Sequence, residues 1–547
     1  MPTVTLNKKQ VLLILGKKLD DDSLALKISM LGTDLEGITD NEIVVEVFPN
    51  RPDLMSEAGM ARALRGFMDI ETGLLEYKIY SDKSYVAKVD ASVKDVREHT
   101  MCAVVKDVDI DDELIVALMQ MQEKLHMTHS RNRKNASIGV HDLDAVKFPV
   151  TYTTVGGDFK FVPLDFTKEM TIGEILLKHP KGKAYRHLAL GKKYPVWLDA
   201  DGEVLSFPPI INAAKTIVTA KTRNLFIEVT GLDRKATEQA LNILVTALAD
   251  EGGKLYSVKL DGAISPRLMP SEMGLSVDYV NKLLGLGLSG DDVAGLLLKM
   301  RYGVKPSAGG MLSVLVPAYR TDILHPIDLV EDVAIAYGYE NFREDMPKIA
   351  TVGEESKETI LVRKVTDAAI GFGLLECISY HLVNKEHLTR FVRKEDDGII
   401  TTANAVNVEY NALRNALLPG LFKILSENTR YEYPQRLFEA GKVIVPDKSS
   451  ETNAREMLSL SVVIADTTAE FTEIKAVLSG ILDNLGVTFT IREAYCPSYI
   501  DGRCAQVIVD DKSVGYLGEV HPQVLNNFNI EAPVSAFEIQ IDKLGLL

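Results

Sequence analysis

Apolar residues recur with helical spacing most clearly near the C-terminal end of the chain. Ile474, Val477, Leu478, Ile481, Leu482 and Leu485 fall at i, i+3, i+4, i+7, i+8 and i+11, and Gly486 follows them, which predicts an amphipathic helix that stops there. LSLSVVIA (458–465), AQVIVD (505–510) and SAFEIQI (535–541) read as strands around it. A helix over 360–372 and a strand at CISYHLV (377–383) precede them. Helices lying on an antiparallel sheet, an α+β layer, is the architecture expected for residues 350–547.

Three earlier segments have different patterns. Residues 1–85 read as a small α/β domain, with a strand at VTL and a helix from about Leu6 interrupted at Gly16. A second helix follows Asp20, Asp21 and Asp22, a strand covers EIVVEVF, and a helix over 56–68 has Ser56 as its cap. Residues 86–265 alternate strands and helices. CAVVKDVDI (102–110) and TRNLFIEVTG (222–231) are strand-like, and a helix carrying Ala240, Leu241, Leu244 and Leu248 on one face ends at Gly252 and Gly253. Residues 268–345 hold two short helices, a strand at 312–318 and a third helix after Pro326, the order of a small helix-turn-helix-like module.

At 547 residues the chain exceeds what one core supports, in keeping with these four segments. The four cysteines, Cys102, Cys377, Cys496 and Cys504, form no CxxC pair, which argues against a disulfide framework or a cysteine zinc site. The opening apolar run Val11–Leu15 is too short for a signal-peptide core, and no stretch reaches the length of a membrane span, so a cytoplasmic protein is expected. The formal net charge of −16 leans away from nucleic acid, although a local basic surface is compatible with it.

Six stretches together resemble one family. They are FPNRPDLMSEAGMARALRGF (48–67), SRNRKNASIGVHDLD (130–144), FPPIINAAKTIVTAKTRNLFIEVTG (207–231), YRTDILHPIDLVEDVAIAYGYENF (319–342), ALRNALLPGLFKILSENTRYEYPQRLFEAGKV (412–443) and VGYLGEVHPQVLNNF (514–528). In this order they are similar to the beta subunits of phenylalanyl-tRNA synthetases of the archaeal and eukaryotic type. The resemblance implies an editing domain at 86–265, a small winged-helix-like B5 domain at 268–345, and a class II synthetase-like domain at 350–547 that has lost its chemistry. It further implies an alpha subunit that carries the aminoacylation site, assembled as two alpha and two beta chains. The substrates of that complex would be phenylalanine, ATP and tRNA(Phe). Consistent with this, the strand at Arg436–Glu439 has the shape of a class II motif, yet there is no second arginine-bearing motif to hold ATP phosphates and no Walker-type glycine loop.

Asp322, Asp328, Glu331 and Asp332 form an acidic group, the last three at spacings of three and four behind Pro326. Such carboxylates suit either Mg²⁺ or a solvated helix N-terminus. The resemblance implies a magnesium site at these four positions, shared with the alpha subunit.

Tyrosine is phenylalanine plus one hydroxyl, and an apolar pocket rejects an added hydroxyl only about a hundredfold, so a second, hydrolytic sieve has a physical rationale. Within FIEVTG and LSFPPIIN, Glu228 could accept from the phenol, and Thr230, Ser206 and Asn212 could orient a water or the ester. Equally, Glu228 and Thr230 suit ordinary positions on an alternating strand. The archaeal pattern usually has aspartate where Glu228 stands and serine where Ala213 stands, so this chain's carboxylate reaches one methylene further. The basic run SRNRKN offers Arg131, Arg133 and Lys134 to tRNA phosphates, or forms a solvated loop. His126, His129 and His141 lack the carboxylate partners of a zinc site and read as satisfied or surface histidines. Trp197 reads as core. A free-standing aminoacyl-tRNA hydrolase and a structural or regulatory binding protein are the competing readings.

Overall fold

The computed structural model describes residues 2–307 and 309–546 and divides into two compact units, residues 1–345 and 346–547. In the first unit, β1 (Thr3–Asn7) leads into α1 (Lys8–Leu15), which Asn7 caps by accepting the Gln10 N–H and which Gly16 ends in the left-handed region (φ 72°). Next come α2 (Asp21–Met30), capped by Asp20, then β2 (Asp34–Ile38) and β3 (Glu42–Glu46). The three strands pair antiparallel in the order β1-β3-β2. Helix α3 (Glu57–Phe67) follows, with Ser56 accepting the Gly59 N–H.

A ten-stranded sheet comes next. It contains β4 (Ile79–Val89), β5 (His99–Lys106), β6 (Ala136–Asp142) after α4 (Asp112–Met127), and β7 (Val150–Val155). Helices α5 (Ile172–Lys178) and α6 (Pro180–Tyr185) precede β8 (Tyr194–Leu198), β9 (Val204–Phe207), β10 (Ile211–Asn212) and β11 (Leu225–Gly231). Helix α7 (Arg234–Asp250), β12 (Lys254–Leu260) and β13 (Ala263–Ser265) complete it. The order is β10-β9-β8-β7-β4-β12-β5-β11-β6, with β13 on β12; only β4 pairs in parallel, with β7 and β12. Strand β4 spans 79–89, across the boundary expected at 85.

On β11, Leu225, Ile227 and Val229 share a core with α7, whereas Phe226, Glu228 and Thr230 point to the other face. That same core contains Val4, Leu15 and Leu64 from the N-terminal segment and Leu275, Val314 and Val333 from the segment after 268, so the three segments are built around one interior.

Between 271 and 337 the chain forms β14 (Ser271–Ser276), α8 (Val277–Leu284), α9 (Gly290–Lys299), β15 (Gly303–Pro306), β16 (Met311–Val316) and α10 (Pro326–Tyr337). A reciprocal capping box between Ser289 and Asp292 starts α9. The sequence reading had a single strand here; the structure has a three-stranded antiparallel sheet, β14-β16-β15.

In the second unit, α11 (Lys357–Gly371) precedes β17 (Leu375–Glu376) and α12 (Leu418–Glu427). Strands β18 (Gln435–Pro446) and β19 (Ala454–Ala465) lead to α13 (Phe471–Asn484), which buries Ile474, Val477, Leu478, Ile481 and Leu482 as its periodicity predicts. At about 1.5–3 kcal/mol for each large side chain removed from water, that stripe anchors the helix on the sheet. Strands β20 (Thr490–Glu493), β21 (Tyr499–Val509), β22 (Lys512–Val520) and β23 (Val534–Gln540) complete the sheet β17-β18-β19-β23-β22-β21-β20, antiparallel except for β17 on β18. CISYHLV is not one strand. Pairing to β18 stops at Glu376 and resumes elsewhere at Leu382, because Cys377 bonds the Phe438 carbonyl (2.7 Å) and the chain then leaves the sheet.

Candidate functional site

Beside β11 lies a cavity of about 350 Å³ whose walls come from α4, β6, the 206–218 segment and Glu228. Two tight features shape it. The Pro208–Pro209 bond is cis, and Arg131, Asn132 and Arg133 form three consecutive left-handed residues (φ 48°, 53° and 65°) after α4. Their amides bond back to carbonyls of Thr128, Met127 and His126, which holds that conformation in place.

Glu228 is 2% exposed. Its Oε1 accepts from the Ser206 hydroxyl at 2.8 Å and lies 3.9 Å from His141 Nε2. Its Oε2 has no hydrogen-bond partner, nor does His141 Nε2; the other His141 nitrogen contacts Thr216 Oγ1 at 2.8 Å. The carboxylate occupies space left by Gly139 on the neighbouring strand, where a Cβ would come 2.3 Å from Oε1. Asn212 lines the cavity and donates to the Val140 carbonyl (3.2 Å), and Ala213 lines it too. Two adjacent buried polar atoms without partners, one of them at the cavity wall, are costly unless a ligand or water meets them.

Glu228, Ser206 and Asn212 therefore meet at one cavity. Thr230 does not join them: fully buried, its hydroxyl contacts Arg97 Nε and Ser137 Oγ at 3.1 Å each. His141 is fully buried beside Glu228, off the cavity wall and with Nε2 unpartnered, where its sequence context suggested a satisfied or surface histidine; the VHD stretch carries no mark of a contact made across to β11.

Of the basic run, Arg131 and Lys134 are exposed. Arg133, expected as an RNA contact, is buried instead. Its guanidinium donates to the Pro209 and Ile210 carbonyls (3.2 and 3.1 Å), pairs with Glu123 and covers the Tyr185 ring at 4.4 Å. It ties α4 and α6 to the cis-proline loop. Below it His126 accepts the Ile138 N–H at 2.8 Å; burial pushes its pKa down to about 4 and keeps it neutral.

The acidic group follows a different logic. Buried Arg320 forks onto Asp322 (2.9 and 2.7 Å) and also pairs with Asp332 (2.8 Å), which accepts from the Tyr302 hydroxyl as well. Asp328 caps α10 by accepting from the Leu324 and His325 amides, both at 2.7 Å. Burial, then Asp332, Asp322 and Asp328, raise the pKa of exposed Glu331. Arg320 pairs with two of these carboxylates, and buried Arg51, itself held by Asp53, adds a second positive charge near Asp322; the four carboxylates still offer the hard oxygens that a divalent cation takes. Among the described residues, however, no three of these four bring ligand atoms within 4.8 Å of one another; the trio that does is Asp34, Glu36 and Glu46 on β2 and β3. Within this chain alone the four do not form a closed cation cage.

Comparison with known proteins agrees with this layout. Residues 107–247 match the model of the B3/4 domain, 273–339 that of the tRNA synthetase B5 domain, and 343–541 that of the phenylalanyl tRNA synthetase beta chain CLM domain. The phenylalanine–tRNA ligase beta subunit of Archaeoglobus fulgidus is 42% identical over 99% of this chain and 98% of its own length. That of Methanocaldococcus jannaschii is 40% identical over 99% of this chain and all of its own. The crystal structure of an N-terminal fragment of the Pyrococcus horikoshii phenylalanyl-tRNA synthetase beta subunit covers 62% of this chain and all of that fragment, at 36% identity and a TM-score of 0.60. With full-length relatives at this identity and three domain models in register, the chain belongs to the phenylalanine–tRNA ligase beta-subunit family.

Proposed function

We propose that this chain is the non-catalytic partner in a cytoplasmic complex of two alpha and two beta subunits that joins phenylalanine to tRNA(Phe) at the expense of ATP. In this reading the alpha subunit activates the amino acid, and the cavity beside β11 removes tyrosine misattached to the same tRNA. The observation that carries the second part is the pair of buried, unpartnered atoms, Glu228 Oε2 and His141 Nε2. A tyrosyl phenol donates to Glu228 while Ser206 holds the other oxygen. A phenylalanyl ring leaves that carboxylate oxygen unpaired, and sites built to bond a hydroxyl discriminate against its absence by roughly 10⁴-fold. Water then adds to the ester carbonyl, the carbon–oxygen bond to the ribose breaks, and tyrosine and the tRNA with its terminal ribose hydroxyl restored leave. Asn212, bound through its amide nitrogen, keeps its carbonyl oxygen to orient that water.

Two features of the second unit support a scaffolding role. Arg414 is buried on Glu439, and Arg436 pairs with Glu473, so neither is free for a nucleotide phosphate. Exposed apolar side chains gather at Leu375, Ile378, Tyr380, Val406 and Val408, as expected of a surface covered by another subunit. Asp322, Asp328, Glu331 and Asp332 would hold Mg²⁺ with donors from that subunit completing the shell, where the ion would supply neutralising charge at the subunit boundary. Aminoacylation of tRNA(Phe), measured with this chain alone and with the alpha subunit added, tests the division of labour: activity is expected only in the mixture. Hydrolysis of Tyr-tRNA(Phe) by the mixture should be lost in Glu228→Ala. A free-standing hydrolase would act without the partner, and a purely structural protein would leave the mixture inactive.

A further inference from the structure

The cavity has a second charged border, longer than SRNRKN. Between Glu174 and Asp199 the chain carries six lysines and arginines and no acid, in a protein of net charge −16. Lys178 pairs with Glu174 and Lys181 with Glu123. The other four, Lys183, Arg186, Lys192 and Lys193, are exposed, and among the described residues their side chains have no ion pair or hydrogen bond.

Their support is fixed. Helices α5 and α6 cross at Gly182, where a Cβ would lie 1.9 Å from the Ile175 carbonyl oxygen. His179 accepts the Lys181 N–H at 3.1 Å, starting α6. Tyr185 at the end of α6 lies under Arg133, so α6 adjoins the loop that exposes Arg131 and Lys134, and Lys181 and Arg133 both line the cavity. The α6 end of the second run thus meets SRNRKN at the cavity rim, and Lys192 and Lys193 extend that charge along the chain towards β8.

We propose that this rim, Lys183 to Lys193 together with Arg131 and Lys134, grips the phosphate backbone of the RNA whose 3′ end enters the cavity; the inference rests on the cavity acting on an aminoacyl ester. Among the described residues only Asp90, near Lys193, offsets these four cations; cations collected with so little counter-charge repel one another, and a polyanion removes that repulsion while releasing its own counterions. Point-like lysines and a forked arginine suit phosphates spaced along a chain. RNA is favoured over an acidic peptide because the rim borders the cavity, where the polymer bearing the ester must lie.

The test uses the full complex with Lys183, Arg186, Lys192 and Lys193 all replaced by alanine. Binding of tRNA(Phe) is followed by fluorescence anisotropy over a series of KCl concentrations. Four lost phosphate contacts should flatten the slope of log affinity against log salt by about three. KM for Tyr-tRNA hydrolysis should rise about tenfold or more with kcat at saturation unchanged, and a Lys183→Arg, Lys192→Arg, Lys193→Arg variant should behave as wild type. An unchanged salt slope, or a changed slope with unchanged KM, overturns the proposal. So does polyglutamate binding to the wild-type rim more tightly than tRNA(Phe) does and losing that advantage in the alanine variant. Glu228→Ala should keep the wild-type slope while hydrolysis disappears. If Glu228→Ala still hydrolyses, the cavity reading fails on its own, and the salt slope continues to decide whether the rim holds RNA.

Discussion

Glu228 reaches its position because Gly139, on the adjacent strand, has no side chain. Gly139 lies opposite Glu228 in the β6–β11 register, and the carboxylate leans into the space its missing Cβ leaves. Gly139→Ala should therefore push the carboxylate away from Ser206 and crowd the His141 ring, whose Nε2 would lie 2.9 Å from the new Cβ. Displacement of a catalytic or selecting group by about an ångström costs on the order of 10²-fold, and the Tyr-tRNA hydrolysis rate of the complex is the measurement. At this scale the sequence was partly readable. Glu228, Ser206 and Asn212 are found in the two stretches singled out for them, since each stretch is short and locally marked. Thr230 has the same parity as Glu228, but two residues along the strand its neighbours change to Ser137 and Arg97, which strand periodicity alone does not reveal. Arg133 reads as a surface charge until the left-handed turn folds it inward.

Among the elements, α1 and α7 meet through a carboxyl that titrates near neutrality. Glu251, just past α7, accepts from Gln10 of α1 at 2.7 Å. Burial, reinforced by Glu57, Asp250 and Asp111, raises its pKa from 4.5 to about 7 despite that bond. The folded state therefore holds this proton more tightly than the unfolded chain. The resulting stabilisation is complete below about pH 4.5 and is lost as pH rises through about 7, a total of roughly 3 kcal/mol. Glu251→Gln should remove this fall, so that denaturant unfolding between about pH 5 and about pH 8 shows a flatter stability profile than wild type. Some helix ends were readable because their chemistry is local: Asp20 and Ser56 cap where the sequence places them, whereas α1 begins at Lys8 under an Asn7 cap rather than near Leu6. Strands were not uniformly so. SEMGLS and GVKP have little apolar alternation, and they become strands only because each pairs with β16. CISYHLV has the composition of a strand but finds only a brief partner at each end.

For the whole molecule, the second unit leaves Ile378 89% and Val406 102% exposed, which a monomer gains nothing by displaying. Ile378→Asp should leave the fold intact, because the side chain has no interior contacts to lose. It should weaken association with the alpha subunit by about 2 kcal/mol or more if the position is a binding hot spot, as read by sedimentation of the mixture. A net charge of −16 summed over the chain does not reveal the stretch from 175 to 198 that lacks a single acid. Single helices such as α7 and α13 followed from periodicity, whereas the shared core of the first unit depends on contacts between residues hundreds of positions apart. Strand β11 is hydrogen-bonded on both sides along all seven of its residues, to β5 and to β6. A strand clamped in this way cannot slide or tilt to move its carboxylate. Variation in what this pocket accepts then arises from exchanged side chains on a stationary frame, at position 228 itself, where a methylene more or less changes the reach, or around it on β9 and the cis-proline loop.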